Sequence, residues 1–267
     1  MGEGFTGEAL AFDWPAPGVA RATFTRGPEM NTLSLAFVAE LDRAVTSATE
    51  AGARALILTG EGRAFCAGAH LTYFTDKASP LESPLAIRDR YLVPITRLFD
   101  RLEAAPFPVI AAINGFALGG GFELALSCDF RILADTARLG LTEVRVAAFP
   151  AAGGVQKLHR FVGRGKALEL ILLGRHIVAA EAGQLGLAYA VVEPAALMDR
   201  ALALAADLGR GGRFAMAQAK ANILLSESLD ARTARDFGLE ALAVLAATPE
   251  WAEGMSAFVE KREPRFT

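Results

Sequence analysis

The sequence predicts an α/β fold built on a mostly parallel sheet and followed by an all-helical C-terminal region. Three observations carry that reading. Short apolar runs alternate with stretches of helical spacing as far as about residue 193, the pattern of strands joined by crossover helices. One run, Val109 to Ile113, is apolar throughout and lies between Pro108 and Asn114-Gly115, as a strand buried on both faces reads. Beyond Pro194, helical patterns follow one another with no strand between them. The expected division is therefore residues 1–193 as a core carrying the site and 194–267 as a helical region docked on it or on another subunit.

Taken in order, residues 9–14 and 19–25 are short runs split by Pro15-Ala16-Pro17-Gly18, a hairpin. Ser34 caps a helix to about residue 51, with Leu35, Val38, Leu41 and Val45 at helical spacing. Residues 54–59 read as a buried strand closed by Gly60-Glu61-Gly62, whereas 63–70 are rich in small side chains and fit neither period. Residues 76–84 are polar and contain proline, which predicts a mobile loop, and a helix over 85–104 leads to the central strand. After that strand and its glycine turn come strands at 130–134 and 138–140, then a short helical turn capped by Thr142 and carrying Glu143. A glycine-ended turn at 149–154 precedes helices at 154–161, 166–173 and 179–185 and a last strand at 189–192. The tail helices fall at 195–208, 215–225, 232–246 and 250–261.

At 267 residues the chain is long enough for a sizeable core, and 52% apolar with 21% charged residues excludes disorder. A net charge of −3 lacks the basic excess of a nucleic-acid binder. Cys66 and Cys128 sit in apolar surroundings and read as packed thiols, and no apolar segment follows the N-terminus as a secretory signal would. Both point to the cytoplasm. Residues 109–128 approach membrane-spanning length, but Asn114, the glycine triplet and Glu123 would then lie in hydrocarbon, so a soluble core is the better reading. Two N-terminal matches carry no context: Gly2 to Gly7 fits GxGxxG without a preceding strand, and Met1-Gly2 with Thr6 fits a myristoylation pattern without a second anchor.

The stretch that organises the rest is FPVIAAINGFALGGGFELALSCDF, residues 107–130. It reads as strand, glycine turn, then helix start. Such a turn bares backbone N–H groups, and the helix start adds partial positive charge, so an anion or a developing oxyanion suits it. The same glycines would also let the helix pack close to the strand. A P-loop is excluded because Gly121, not Lys, follows Gly120. Two carboxylates, Glu123 and Glu143, lie on loops that follow strands and are flanked by Phe, Leu, Ala and Val. Apolar surroundings and a like-charged neighbour raise a carboxyl pKa, which suits one of them to hold a proton near neutral pH. There is no HExxH, His/Cys cluster or GxSxG elbow.

GRAFCAGA (62–69), PVIAAINGFALGGGFELALSCDFRI (108–132), RLGLTEVRVAAFPAAGG (138–154) and EGMSAFVEKREPRF (253–266) resemble, in order, the enoyl-CoA hydratase/isomerase family, the crotonases. The resemblance runs from about residue 31 to the C-terminus. It implies a spiral of ββα units forming two nearly perpendicular sheets, with a C-terminal helical trimerisation region, and trimers often paired into hexamers. It also implies an acyl-CoA thioester held between two backbone N–H groups, those of Ala69 and Gly120, with Glu123 and Glu143 as the acid pair of the hydratase branch. Coenzyme A contacts would fall near Met30, Thr32 and Leu33, near Arg63, and on Ala67 and Ala69. Phe258 and Lys261 match positions that reach a neighbouring subunit's nucleotide. The chemistry needs no metal and no cofactor, since coenzyme A is part of the substrate.

The implied activity is hydration of a trans-2-enoyl-CoA. The alternatives are a Δ3,Δ2-enoyl-CoA isomerase, which usually works with one of these acids, and a non-catalytic acyl-CoA-binding relative. Three positions depart from the family pattern. His70 stands where Asp is usual and reads as a loop residue turned to solvent or capping a turn. Thr142 replaces a proline, and Met30 lacks a positive charge found in some relatives.

Overall fold

A computed structural model describes residues 2–76 and 79–266. Strands β1 (Phe5–Thr6), β2 (Leu10–Ala16) and β3 (Val19–Phe24) form an antiparallel meander. Helix α1 (Leu35–Glu50) starts where Ser34 accepts a hydrogen bond from Phe37 N, the expected cap, and buries Phe37, Val38, Leu41, Ala44, Val45 and Ala48. Strands β4 (Ala55–Gly60) and β5 (Ala64–Cys66) follow, then the single turn α2 (Thr72–Thr75). Next, α3 (Pro84–Ala86), a π-helical turn (Ile87–Leu92) and α4 (Val93–Glu103) run one into the next. The expected mobile loop at 76–84 includes residues 77 and 78, which lie outside the described residues.

The middle of the chain gives β6 (Val109–Ile113), β7 (Phe116–Leu118), α5 (Gly120–Leu126), β8 (Phe130–Ala134) and β9 (Arg138–Gly140). A 3-10 turn (Glu143–Val146) leads to α6 (Gly154–Leu173), which breaks at Gly163 into the two helices expected there. Then come β10 (Ile177–Val178), α7 (Ala179–Gln184), β11 (Ala190–Val192), and α8 (Leu197–Leu208), α9 (Arg213–Ser226), α10 (Ala231–Leu245) and α11 (Pro249–Glu260).

Among the described residues the strands form two sheets. One has seven strands in the order β1-β2-β3-β4-β6-β8-β11, parallel from β3 onward. The other has four, β10-β9-β7-β5, parallel apart from β10. Successive pairs β4/β5, β6/β7 and β8/β9 each give their first strand to the large sheet and their second to the small one. The chain thus steps three times from one sheet to the other, and because β5, β7 and β9 are parallel neighbours, the steps finish at the same end of the small sheet.

Strand β6 is buried at all five positions because both faces of the large sheet are covered. On one side α1 and α4 pack with Leu56, Leu58, Val109 and Ala111. On the other, Leu197, Ala201, Leu204 and Ala205 of α8 pack on Ile57, Ile110 and Ile132. The helix that opens the tail is therefore part of the sheet's second layer. Each fully buried Leu, Ile or Phe contributes about 1.5–3 kcal/mol, so this central sandwich is what holds the site rigid. No helix among the described residues is long and apolar enough to cross a membrane.

Candidate active site

Where the three steps end, two backbone segments lie side by side. Leu33 bridges Ala69, with Leu33 N donating to Gly68 O at 2.8 Å, and Ala67 N donates to Met30 O at 3.0 Å. Gly68 lies so close to the glycine turn that a Cβ on it would fall 2.6 Å from Leu118 O and 3.1 Å from Gly120 N. Gly119 has φ 52° and ψ −127°, a conformation open to glycine, and its N–H donates to Gly140 O at 2.8 Å. Among the described residues, no hydrogen bond takes the N–H of Ala69 or of Gly120. Each of these N–H groups lies on a residue of the cavity wall and is free to meet an acceptor there.

Beside them are the two carboxylates. Glu123, on the first turn of α5, is 3% exposed, and its Oε1 accepts the Gly154 N–H at 2.8 Å. Its Oε2 lies on the side of Gly120, 3.8 Å from where a Cβ there would be. Burial pushes its pKa up to about 7; the charge of Glu143 adds to that and the Gly154 N–H opposes it. Glu143 opens the 3-10 turn after β9, with Oε1 3.2 Å from where a Cβ on Gly119 would lie. Its Oε2 is buried with no hydrogen-bond partner among the described residues, and burial raises its pKa as well. Both shifts run the same way, burial favouring the protonated form of each carboxyl. Thr142 stands at the cap position of this turn, but its side chain accepts no hydrogen bond from it, which corrects the expected cap. The turn is closed instead by Ala147 in a left-handed conformation, its N–H on Val144 O.

These groups line a cavity of about 890 Å³. Leu33, Ala67, Ala69, Gly120, Glu123 and Glu143, all singled out in the sequence, share its wall. The rest of the wall is mainly apolar, with Phe74, Ile87, Tyr91, Ile95 and Phe149 prominent. Met30, Thr32 and Arg63 lie outside it. Met30 is left-handed (φ 58°), and Arg63 is exposed at the start of β5. Phe258 is 82% exposed on α11 and Lys261 ends that helix, away from this chain's own cavity wall. Among the described residues no cluster of His, Cys, Asp and Glu is arranged to hold a metal ion.

His70, expected as a loop residue turned to solvent or capping a turn, is half-buried and engaged by its neighbours. Its Nδ1 is 2.8 Å from Thr32 Oγ1, its ring packs on Tyr73 at 4.6 Å, and its backbone N–H donates to Tyr91 Oη at 3.0 Å. Thr32 is engaged in the same way and has its hydroxyl on His70. Tyr91 went unnoticed in the sequence. Its spacing to Ile95 and Leu98 marks a buried helix face, but nothing local shows where its hydroxyl goes.

The model of the family described as enoyl-CoA hydratase/isomerase matches residues 16–267. The short-chain-enoyl-CoA hydratase of Clostridium acetobutylicum is 37% identical over 248 residues, 92% of each chain. The crotonyl-CoA hydratase of Syntrophomonas wolfei is 36% identical, over 90% of this chain and 91% of its own. A crystal structure of enoyl-CoA hydratase from Bacillus anthracis superposes with a TM-score of 0.90 at 40% identity, covering 97% of this chain and 99% of that one.

Proposed function

We infer, since the chain belongs to the enoyl-CoA hydratase/isomerase family, that it is an enoyl-CoA hydratase, adding water across the double bond of a trans-2-enoyl-CoA to give a 3-hydroxyacyl-CoA. One observation carries the reading: two unpaired N–H groups, the buried Glu123 and the half-buried Glu143, both with raised pKa, line the same apolar cavity. As water adds to Cβ, negative charge moves to the thioester oxygen. Ala69 N–H and Gly120 N–H receive that oxygen, and a preorganised donor of this kind is worth about 3–4 kcal/mol. Glu123, held as an acceptor by Gly154 N–H, orients the water and takes its proton. Glu143 delivers a proton to Cα, and its unpartnered Oε2 is the atom free to do so. The water's oxygen ends on Cβ, and one proton leaves the pair as another joins it.

The coenzyme A portion leaves the cavity past Leu33 and Ala67 toward Met30, Thr32 and Arg63. Phe258 and Lys261 serve the nucleotide of a neighbouring subunit in a trimer or a hexamer of paired trimers. Both cysteines are buried and unpaired, which suits the reducing cytoplasm.

The test follows the conjugated thioester absorbance of short, medium and long 2-enoyl-CoAs mixed with the protein. The expected result is its decay, with formation of the 3-hydroxyacyl-CoA. Growth of that absorbance from a 3-enoyl-CoA, with no hydration, would replace this reading by the isomerase. Binding without turnover would reduce the protein to an acyl-CoA carrier.

A further inference from the structure

We propose that the Tyr91 hydroxyl is a positioning group for the Ala69 N–H. The idea rests on that N–H being half of the oxyanion hole. Leu33 grips the Ala69 segment at two points. Its N–H donates to Gly68 O at 2.8 Å, on the same peptide plane as the Ala69 N–H. Its carbonyl reaches the next peptide through Tyr91, which donates its hydroxyl to Leu33 O at 2.7 Å and accepts from His70 N–H at 3.0 Å. In the parallel bridge between Leu33 and Ala69, the second ladder bond would join His70 N–H to Leu33 O directly. Tyr91 stands between those two groups and takes both. The peptides on either side of Ala69 are thus tied to one residue, Leu33, and the second tie passes through a single phenol.

The phenol is itself fixed. Tyr91 is 1% exposed, with Tyr73 edge-on at 5.8 Å and Phe74 edge-on at 5.6 Å. It lies in the π-helical turn Ile87–Leu92, an irregularity that recurs at functional sites. Burial holds its pKa far above the ordinary phenol range, so it stays neutral and keeps its donor proton. Tyr73 serves as the internal contrast. It belongs to the same aromatic cluster, but its hydroxyl accepts from Leu35 N at 3.2 Å, at the start of α1.

The experiment compares Tyr91→Phe and Tyr73→Phe in kcat, KM, melting temperature and the spectrum of bound 4-aminocinnamoyl-CoA, whose absorption moves to the red when its carbonyl is polarised. Both rings are kept. For Tyr91→Phe the expected result is a kcat lower by about 10-fold or more. KM should stay within about 2-fold, since the loss falls on the transition state, and the red shift should be visibly reduced. Tyr73→Phe is expected to keep the rate and the red shift of the unaltered protein. Three results would overturn the proposal: full rate and red shift in Tyr91→Phe, equal losses in both variants, or a lost rate with the red shift intact. If the unaltered protein itself gives no red shift, the reading of the oxyanion hole fails. That outcome is distinct from a normal shift that Tyr91→Phe leaves unchanged.

Discussion

The central stretch and the last three helices carry similar proportions of apolar residues but end in opposite states. Strand β6 is buried throughout, and α5 is buried from Gly121 to Leu126. By contrast α9 buries nothing, α10 only Ala234 and α11 only Ala257. Ile223, Phe237, Leu239, Val244, Phe258 and Val259 all remain exposed there. One chain completes the first region by itself, because helices cover both faces of its strand. The second is left with more apolar surface than an isolated monomer usually carries. The first region therefore lines the candidate site, and the second exposes the surface on which the proposed assembly would form.

The sharpest way to break that contrast is to remove the acids. Glu123→Gln and Glu143→Gln should each lower kcat by about 10²–10⁴-fold, while a saturated acyl-CoA binds almost as before. Near-normal hydration by either variant would strip that residue of its role. A loss confined to Glu143→Gln would favour the isomerase.

The next effect is on stability and belongs to the central stretch alone. Glu123 has its pKa raised from the usual carboxylate range to about 7. Between about pH 4.5 and pH 7 the folded state holds a proton that the unfolded state has lost, so this group's contribution falls as pH rises through that window. The shift corresponds to about 3 kcal/mol at most. Glu123→Gln cannot ionise. Its stability relative to the unaltered protein should therefore climb from pH 5 to pH 8 in urea titrations. A flat difference across that range would mean that Glu123 is not strained by its burial.

What was legible in the sequence follows the same division between local and distant causes. The Ser34 cap and the β6 run were readable because their reasons are local: a hydroxyl three residues from its donor, and a strand covered on both faces. The glycine triplet was readable in both of its senses. Gly121 lets α5 pack against Cys66 O, where a Cβ would not fit, while Gly119 and Gly120 form the turn. Strands β5, β7 and β10 were missed because their pairing is set by partners far along the chain. The same holds for Tyr91 and His70. Tyr91 reaches Leu33 across 58 residues and His70 reaches Thr32 across 38, contacts that no window of sequence contains.

The helical region offers a smaller and separate test. Phe258→Ser should leave the fold of one chain within about 0.5 kcal/mol, as exposed substitutions do. It should weaken assembly by about 2 kcal/mol or more if Phe258 is an aromatic anchor of the interface. Sedimentation at micromolar concentration reads both forms. An unaltered protein that sediments as a monomer would show that these helices meet no second copy.

The smallest change is a single methyl group at Gly120. The oxyanion donor there is backbone, so no side chain can be deleted to probe it. Gly120 does not lie at positive φ, and an alanine suits its backbone. The added Cβ would fall 2.7 Å from Leu33 Cδ1, the far end of a side chain on the cavity wall, so Leu33 must shift. Gly120→Ala should therefore fold, with a melting temperature within a few degrees of the unaltered protein, because one side-chain end moves and no backbone clash arises. The added methyl and the displaced end of Leu33 both crowd the cavity wall on which the thioester would lie against Gly120. A rate loss of about 10-fold in kcat/KM is expected, short of the roughly 10²-fold that an ångström of misplacement can cost. Full activity in a stable Gly120→Ala protein would mean that the thioester does not lie against this backbone, and the contrast between the two regions would lose its chemical half.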